Sequence, residues 1–243
     1  MITYNAISCT GDREKNEDSY ICLENGGNFC FVVADGLGGH CKGEIASRML
    51  VEAFQRIFET GPANTDEFLK TAFDTAQEEI ISAQKSSGAM FEMMTTAVAL
   101  IIIDGKCRWG HIGDSRLYLF HGNKVKTRTL DHSVPQMLAL SKKIREKQIA
   151  RHPDRNRLLR AVGVQWDSPR YELSEEYDLE DCQAFLLCSD GFWELIDKKK
   201  MEVTLKKSPS DENWLAAMTQ AVTSKGYGQD MDNYTAIAIR IGS

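Results

Sequence analysis

Two aspartates in this sequence stand directly after strongly apolar segments and are each followed by glycine. The segment FCFVVA leads into Asp35-Gly36, and the segment AFLLC leads through one serine into Asp190-Gly191. A lone buried carboxylate is unfavourable at the end of a buried strand, so we expect both side chains to point into a space beyond the sheet. Glycine in the next position lets a ligand approach the backbone carbonyl closely.

Four more acidic residues lie at the edges of predicted strands: Glu17, Asp18, Asp114 and Asp232. If these carboxylates meet the two aspartates described above, one pocket holds several negative charges and is stable only when cations neutralise it. Oxygen ligands alone favour hard ions, Mg²⁺ or Mn²⁺, over zinc. Two such ions about 3.5–4 Å apart hold a bridging hydroxide and polarise a phosphoryl oxygen, which is the chemistry of phosphate-ester hydrolysis.

An Asp-Gly pair on its own usually indicates only a turn. Asp104-Gly105, which follows three isoleucines, fits a two-residue hairpin. Asp35 differs in its continuation, because the glycine-rich segment GLGGH follows it and leads into a predicted helix. A hairpin is therefore the interpretation for Asp104, and a ligand site is the interpretation for Asp35.

The elements that must position these residues are short strands and a few amphipathic helices. Apolar periodicity predicts helices around residues 45–58, 68–81 and 211–224. Strands are predicted at residues 3–10, 18–24, 28–34, 95–103, 106–112, 116–120, 124–129, 170–177, 184–189 and 234–241. Hairpin turns between strands imply antiparallel sheets, and helices that do not alternate with every strand indicate an α+β fold. Periodicity alone leaves the number of sheets open.

Composition and charge exclude several classes of protein. The 243 residues are 42% apolar and 26% charged, which is too apolar for a disordered chain. A net charge of −6 argues against a protein that mainly wraps nucleic acid. The longest apolar run, residues 97–103, is far shorter than the roughly 20 residues that span a bilayer. The seven cysteines include no CxxC pair, so we expect a reducing, cytoplasmic setting without a disulfide framework.

Short motifs distributed over the whole chain carry a family resemblance. They are REKNED (13–18), DGLGGH (35–40), TT (95–96), GDSR (113–116), DHS (131–133), HPDRN (152–156), RAVG (160–163), SDGFWE (189–194) and DNYT (232–235). In this order they resemble the PP2C-type, metal-dependent serine/threonine protein phosphatases, especially the small single-domain bacterial members. The resemblance implies one domain over residues 1–243, built as a four-layer αββα sandwich of two antiparallel sheets flanked by helices. This sequence departs from the family pattern at Met94 and Leu159, and neither residue is at a ligand position.

The resemblance also implies the metal ligands and cofactors. Asp35 should bridge two Mn²⁺ or Mg²⁺ ions, with Asp190 and Asp232 completing the protein ligands of one ion and the Gly36 carbonyl binding the other. Glu17 and Asp18 should act directly or through water molecules. Asp114, together with Asp190 and Glu194, matches the third, weaker metal position of bacterial members.

The implied reaction is hydrolysis of phosphoserine and phosphothreonine in proteins without a covalent intermediate. A hydroxide that bridges the ions attacks phosphorus, while Arg13 holds the phosphate with its planar guanidinium. Leu37 stands where eukaryotic members carry a histidine, so we expect a metal-bound water to be the acid and His40 to be structural. The implied partners are phosphorylated proteins and a cognate bacterial Ser/Thr kinase, and we expect a monomer with no nucleic-acid or membrane partner.

A strongly basic segment lies at residues 134–160, where the family carries its flap. It contains eight Lys or Arg residues and two acidic residues, although the whole chain has a net charge of −6. One hypothesis is that the flap attracts phosphorylated or acidic proteins. The alternative is an ordinary solvated helical face.

Two other functions compete with the phosphatase hypothesis. A pseudophosphatase would bind phosphoproteins without turnover, but the sequence carries every core carboxylate of the implied ligand set. A phosphodiesterase or nuclease would need a basic groove interleaved with aromatic residues, which the sequence lacks.

Overall fold

The computed structural model describes residues 1–37, 42–88 and 92–242. Its strands, numbered along the chain, are β1 Ile2–Cys9, β2 Asp18–Asn25, β3 Asn28–Leu37, β4 Met94–Thr95, β5 Ala97–Ile103, β6 Lys106–Ile112, β7 Arg116–His121, β8 Lys124–Arg128, β9 Glu172–Leu173, β10 Tyr177–Asp178, β11 Ala184–Cys188 and β12 Tyr234–Ile241. Its helices are α1 Lys42–Glu59, α2 Thr65–Ser87, α3 Val134–Leu140, α4 Asp190–Trp193, α5 Lys198–Lys207 and α6 Asp211–Gly226. Short 3-10 helices occupy Glu146–Arg151 and Leu179–Asp181.

Two antiparallel sheets form the centre of the molecule. The first sheet has the strand order β1-β12-β11-β7-β8. The second has the order β10-β6-β5-β3-β2, with β4 paired to β3 and β9 paired to β6. Helices α1 and α2 pack on the second sheet, while α5 and α6 pack on the first. The predicted four-layer αββα sandwich is therefore confirmed.

Three apolar clusters hold the layers together. Phe31 and Phe185 lie between the two sheets. Phe54 and Phe73 pack between the helices and the second sheet with their rings 5.1 Å apart, and Trp214 anchors α6 on the first sheet. Since complete burial of each aromatic side chain stabilises the fold by about 1.5–3 kcal/mol, these clusters give the strands a rigid base.

The strand register brings the predicted site residues to one end of the sandwich. Asp18 pairs with Asp35 across β2 and β3. In the other sheet, β11 ends at Cys188, opposite Ala236 of β12. Asp190 follows the end of β11 and Asp232 precedes β12, so both sheets present carboxylates at the same end.

Two hairpins have the turn chemistry that antiparallel strands require, and one of them is the predicted pair Asp104-Gly105. Asp104 and Gly105 have φ angles of 48° and 76°, and Gly122 and Asn123 have φ angles of 56° and 60°. Consecutive left-handed residues are the signature of a type I′ turn, which matches the twist of antiparallel strands. Asp104 is therefore a hairpin residue, as the sequence predicts.

Two elements differ from the sequence prediction. The strand predicted at residues 170–177 is wrong in extent, since only β9 and β10, of two residues each, pair with β6. The side chain of Ser174 accepts the backbone N–H of Trp109 and so takes the place of a ladder bond. Helix α5 is not predicted, because its lysines obscure the apolar period that buries Met201 and Leu205.

None of the helices in residues 1–37, 42–88 and 92–242 has the length and hydrophobicity needed to cross a bilayer.

Candidate active site

A pocket of about 420 Å³ opens at the acidic end of the sandwich. It is lined by Arg13, Glu14, Lys15, Glu17, Asp35, Gly36, Leu37, Asp114, Asn156, Leu158, Asp190, Asp232 and Asn233. The structure therefore brings together every residue predicted for the site except Asp18 and Glu194, which lie outside the pocket lining. His40, predicted to be structural, lies outside the described residues.

The backbone of Asp35 is held by two neighbouring threonines. Its carbonyl oxygen accepts the backbone N–H of Thr96 at 2.8 Å and the hydroxyl of Thr95 at 2.9 Å. Its own N–H donates to the Thr96 hydroxyl at 3.1 Å. These bonds hold Asp35 in place near the end of β3, so its carboxylate projects from a rigid position.

Gly36 lies where the backbone of α1 crosses the end of β3. A Cβ atom at Gly36 would be 2.3 Å from the carbonyl oxygen of Gly43 and 2.6 Å from that of Glu17. No larger residue fits between these backbones. The glycine that was predicted for ligand approach is thus also required by helix–strand contact.

Asn233 ties the loop before β12 to the segment that carries Arg13 and Glu17. Its amide donates to the carbonyl oxygens of Thr10 and Lys15, each at 2.8 Å. Its side-chain oxygen accepts the N–H of Glu17 at 2.8 Å. This side chain therefore sets the distance between Asp232 and the N-terminal acidic residues.

The carboxylates in and behind the pocket repel one another. Burial raises the pKa of Asp35 well above its ordinary value, and the charges of Asp190, Asp18 and Asp114 raise it further. Burial likewise raises the pKa of Asp190, with Asp232 adding to the effect. The protein alone does not neutralise this cluster of charges.

Asp18 lies behind the pocket and is incompletely satisfied. Its Oδ2 accepts the hydroxyl of Ser189 at 2.7 Å, whereas its buried Oδ1 has no hydrogen-bond partner. Burial is the main reason that the pKa of Asp18 is raised to about 7. An unpartnered buried oxygen beside several carboxylates fits the oxygen-only donor set of a hard divalent ion.

Arg13 lies at the rim of the pocket and pairs with one of the acidic residues. Its Nε and Nη2 donate to the two carboxylate oxygens of Asp232, both at 3.0 Å. Both side chains are almost half exposed, so the pair is open to exchange with a solvent ion. The fork geometry that grips this carboxylate also suits two oxygens of a phosphate.

A buried charge network lies beside the pocket, and the sequence reasoning did not find it. Arg116 makes a bidentate pair with Asp131, with donor–acceptor distances of 2.7 and 2.6 Å. Its guanidinium carbon lies 3.3 Å from the centre of the Trp193 ring, and the Trp193 indole N–H donates to the carbonyl oxygen of Asp114 at 2.9 Å. Arg116 therefore supports the backbone of Asp114 through Trp193. The only sequence signal is an arginine that opens an otherwise apolar strand.

The basic segment at residues 134–160, named the flap, lines part of the pocket and also forms an ion pair with Glu194. Asn156 and Leu158 line the pocket, and Arg155 donates to Glu194 at 3.2 Å. Burial and the nearby Asp190 raise the pKa of Glu194 to about 7. The sequence reasoning did not place Asn156 or Leu158 in the pocket, because an irregular segment has no periodicity from which its inner face could be read.

A second group of possible ligands consists of His111, His132 and Glu172. The two imidazole rings stack with centroids 4.7 Å apart. His111 bonds to the carbonyl oxygen of Leu130 at 2.9 Å, and Arg160 donates to Glu172 at 2.8 Å. The Arg160 guanidinium therefore already places a positive charge beside Glu172.

Known proteins resemble this chain over most of its length. The sequence profile of the protein phosphatase 2C family matches residues 8–234. The serine/threonine phosphatase stp of Listeria welshimeri is 31% identical over 234 aligned residues, covering 93% of this chain and 90% of the relative.

Solved structures share the fold. Stp1 from Staphylococcus aureus, a serine/threonine phosphatase, superposes with a TM-score of 0.88 at 23% identity, covering 100% of this chain and 96% of that one. The catalytic domain of the serine/threonine protein phosphatase PstP, solved in complex with two manganese ions, has a TM-score of 0.83 at 23% identity, covering 100% and 99% of the two chains.

Proposed function

Since this chain belongs to the protein phosphatase 2C family and is a protein serine/threonine phosphatase, we propose that its acidic pocket hydrolyses phosphoserine and phosphothreonine with two divalent ions. The observation that carries the proposal is the convergence of Asp35, Asp190 and Asp232 at one end of the sandwich. A cluster of mutually repelling carboxylates is stable when divalent cations neutralise it.

The ligand assignment follows the residues that face the pocket. Asp35, between the two sheets, is suited to bridge two Mn²⁺ or Mg²⁺ ions, with Asp190 and Asp232 on one ion and the Gly36 carbonyl on the other. When bound, the ions supply Lewis acidity and lower the pKa of water so that it can attack phosphorus at neutral pH. The two-manganese complex of the PstP domain supports this choice of metal.

The remaining acidic residues have supporting roles in the proposal. Glu17, which lines the pocket, and Asp18, whose Oδ1 is unpartnered, would bind the ions directly or through water molecules. Asp114, with Glu194 nearby, would hold a third ion more weakly. Trp193 keeps the Asp114 backbone in place through its indole hydrogen bond.

Arg13 is proposed to hold the substrate phosphate. Its guanidinium lies at the rim of the pocket, where an incoming phosphate ester meets it before it meets the buried carboxylates. Asp232 currently occupies the fork, so phosphate binding would exchange one bidentate acceptor for another. Charge-assisted bonds of this kind orient the ester and stabilise the charge that develops on its oxygens.

Protonation of the leaving serine or threonine is assigned to water. Leu37 occupies the pocket wall, and none of the described pocket-lining residues is a histidine. An apolar side chain at this position cannot transfer a proton. We therefore expect a metal-bound water to be the acid, so that the pH dependence of the rate reflects the pKa of that water and not the pKa of a histidine.

The proposed biological setting is dephosphorylation of proteins modified by a cognate Ser/Thr kinase. The relatives named serine/threonine phosphatases support this substrate class. The enzyme is proposed to act as a monomer, because one chain supplies all the ligands assigned to the two ions, Asp35, Gly36, Asp190 and Asp232, and the proposed reaction needs no residue from a second subunit.

Hydrolysis of a phosphothreonine peptide with and without metal tests the proposal. We expect turnover with Mn²⁺ or Mg²⁺, loss of at least about 10²-fold in EDTA, and recovery when excess metal is restored. A phosphotyrosine peptide of the same sequence should react more slowly. Turnover that persists in metal-depleted protein would exclude a metal-dependent reaction, and metal binding without turnover would indicate a pseudophosphatase.

The flap is proposed to recruit acidic phosphoproteins to the pocket. Lys142, Lys143, Arg145 and Lys147 are exposed, whereas Ile149 is buried and anchors the segment to the core. Charges on an anchored segment beside the pocket raise the local concentration of an acidic substrate. Met137 and Leu140, each more than half exposed, give the same surface an apolar contact area.

Neutralising the flap should therefore weaken substrate capture. Replacing Lys142, Lys143, Arg145 and Lys147 by glutamine is expected to lower kcat/KM for an acidic phosphopeptide by about tenfold and to flatten its salt dependence. Hydrolysis of p-nitrophenyl phosphate should not change, because this small substrate does not reach the flap charges.

A matched variant separates flap position from net charge. Glutamine at the exposed residues Lys199, Lys200, Lys206 and Lys207 removes the same charge from α5. If both variants lose the same activity on the acidic phosphopeptide, the flap has no special role.

A further inference from the structure

Two cysteine thiols from different sheets meet at the end of the sandwich away from the acidic pocket. Cys107 lies at the start of β6 and Cys182 lies two residues before β11. Their Sγ atoms are 3.8 Å apart, with 0% and 6% of the residues exposed. At about 3.3 Å per residue along a strand, Cys107 is roughly 20 Å from Asp114 at the pocket. The pair is therefore separate from the active site.

The distance between the two thiols is short enough for a bond to form after a small displacement. A disulfide needs an S–S separation of about 2.05 Å, so the sulfurs must approach by about 1.8 Å. Cys182 ends the short 3-10 helix at Leu179–Asp181, and its backbone N–H bonds to the Leu179 carbonyl oxygen. Before it, β9 and β10 hold the chain to the sheet with only two residues each. Few ladder bonds need to change when Cys182 moves toward Cys107.

The surroundings distinguish Cys182 from the other thiols. The hydrogen bond with Cys107 lowers the pKa of Cys182, and the charge of Lys126 lowers it further. The Lys126 ammonium lies 5.5 Å from the centre of the Tyr177 ring, and Tyr177 pairs with Cys107 across β10 and β6. A thiol with a lowered pKa beside a cation and a second thiol is the arrangement of reactive cysteines.

Three other cysteines have the opposite environment. Burial raises the pKa of Cys22 to about 12 and also raises the pKa of Cys30 and Cys188. These thiols stay protonated, and thiols react with oxidants mainly as thiolates. They serve as internal controls for selective oxidation.

We propose that Cys107 and Cys182 form a reversible oxidation site in which a disulfide links the two sheets. The Cys182 thiolate attacks one oxygen of a peroxide; an S–O bond forms, the O–O bond breaks, and the hydroxide that leaves takes up a proton. Cys107 then loses its thiol proton and its sulfur attacks the oxidised sulfur of Cys182, releasing the oxygen as water. In total, two thiols are oxidised by two electrons, and one hydrogen peroxide is reduced to two waters.

A cavity lies close to the thiol pair. Its volume is about 490 Å³, and its lining includes Gly105, Asp178, Leu179 and Glu180, which are two to four residues from Cys107 or Cys182 in the chain, while the cysteines themselves are not in the lining. The Cys182 thiol bonds to the Asp178 carbonyl oxygen at 3.5 Å, so the wall of this cavity contacts the thiol. Hydrogen peroxide needs no larger opening than a water molecule does.

Peptide mapping of the native protein is the direct test. The folded chain is treated with hydrogen peroxide, its remaining thiols are alkylated, and the digest is analysed by mass spectrometry. We expect a linked peptide containing Cys107 and Cys182, a loss of two thiols, and full reversal by dithiothreitol, with Cys30 and Cys188 still alkylated only after unfolding. Absence of this linked peptide, or its formation only in denaturant, would overturn the proposal.

Single variants test the order of the two steps. Cys107→Ser should leave an oxidised Cys182 that dimedone traps, whereas Cys182→Ser should give no adduct at Cys107. Lys126→Gln should slow thiol loss several-fold, because it removes the cation near Cys182. Equal dimedone trapping at Cys107 and Cys182 would contradict the assignment of Cys182 as the attacking thiol. If a variant does not fold, the peptide mapping of the unmodified protein decides the proposal.

Discussion

Replacing Asp35 by asparagine is expected to lower kcat/KM for a phosphothreonine peptide by about 10³-fold or more, with the fold retained. Asparagine keeps the size of the side chain but removes the negative charge that is proposed to bridge two divalent ions. The backbone bonds from Thr95 and Thr96 hold this position and do not depend on the carboxylate. Steady-state kinetics in Mn²⁺ measures the loss of kcat/KM, and circular dichroism measures whether the fold is retained.

The Asp-Gly pair of the hairpin, Asp104-Gly105, supplies a matched control. Asp104→Asn makes the same chemical change at a hairpin where Asp104 is in the left-handed region, which asparagine also tolerates. Its activity should equal that of the unmodified enzyme. An Asp35→Asn enzyme with more than about a tenth of normal activity would remove the bridging role from Asp35.

Metal-free protein provides an independent readout of the same charge. In EDTA, the Asp35→Asn variant should be more stable than the unmodified chain, because it removes one of several mutually repelling carboxylates. Added Mn²⁺ should then raise the Tm of the unmodified chain more than that of the variant, because binding to the folded state alone is stabilising.

Asp131→Asn is expected to lower the free energy of unfolding by about 3–5 kcal/mol. Asp131 is buried, and its carboxylate accepts both bonds of Arg116 as well as a longer contact from Arg128 at 3.5 Å. Loss of the charge leaves the largely buried Arg116 with an inadequate partner, whereas Arg128 keeps its pair with Glu146. Urea unfolding monitored by tryptophan fluorescence measures the change, and the slope with denaturant should stay the same.

A surface ion pair provides the comparison for Asp131. Glu79→Gln breaks the pair with Arg56, in which both side chains are more than a third exposed, and should cost less than about 1 kcal/mol. If Asp131→Asn lowers the free energy of unfolding no more than Glu79→Gln does, the network around Arg116 does not stabilise the fold.

Local sequence patterns indicate two of the acidic residues that line the pocket. Asp35 and Asp190 are predicted from apolar runs that lead to Asp-Gly, and the hairpin predicted at Asp104 is confirmed. These signals are local because a buried strand, its end and the following glycine are adjacent in the chain. The number of sheets came only from the family resemblance.

Contacts between distant segments could not be predicted. Asn233 bonds to Lys15, and Arg116 reaches Asp131 and Trp193, but none of these pairings leaves a periodic pattern in the sequence. Helix α5 was missed for a related reason, because its stability depends on packing against the first sheet more than on its own periodicity.

The pairing of Arg13 with Asp232 joins residues separated by 219 positions, and β1 is completed only by β12. During biosynthesis the chain must therefore emerge from the ribosome as far as β12 before these partners can meet. Such high contact order makes folding slow, and it also means that no nascent fragment without β12 holds an assembled pocket. The acidic pocket is thus completed in one late event, when β12 docks between β1 and β11.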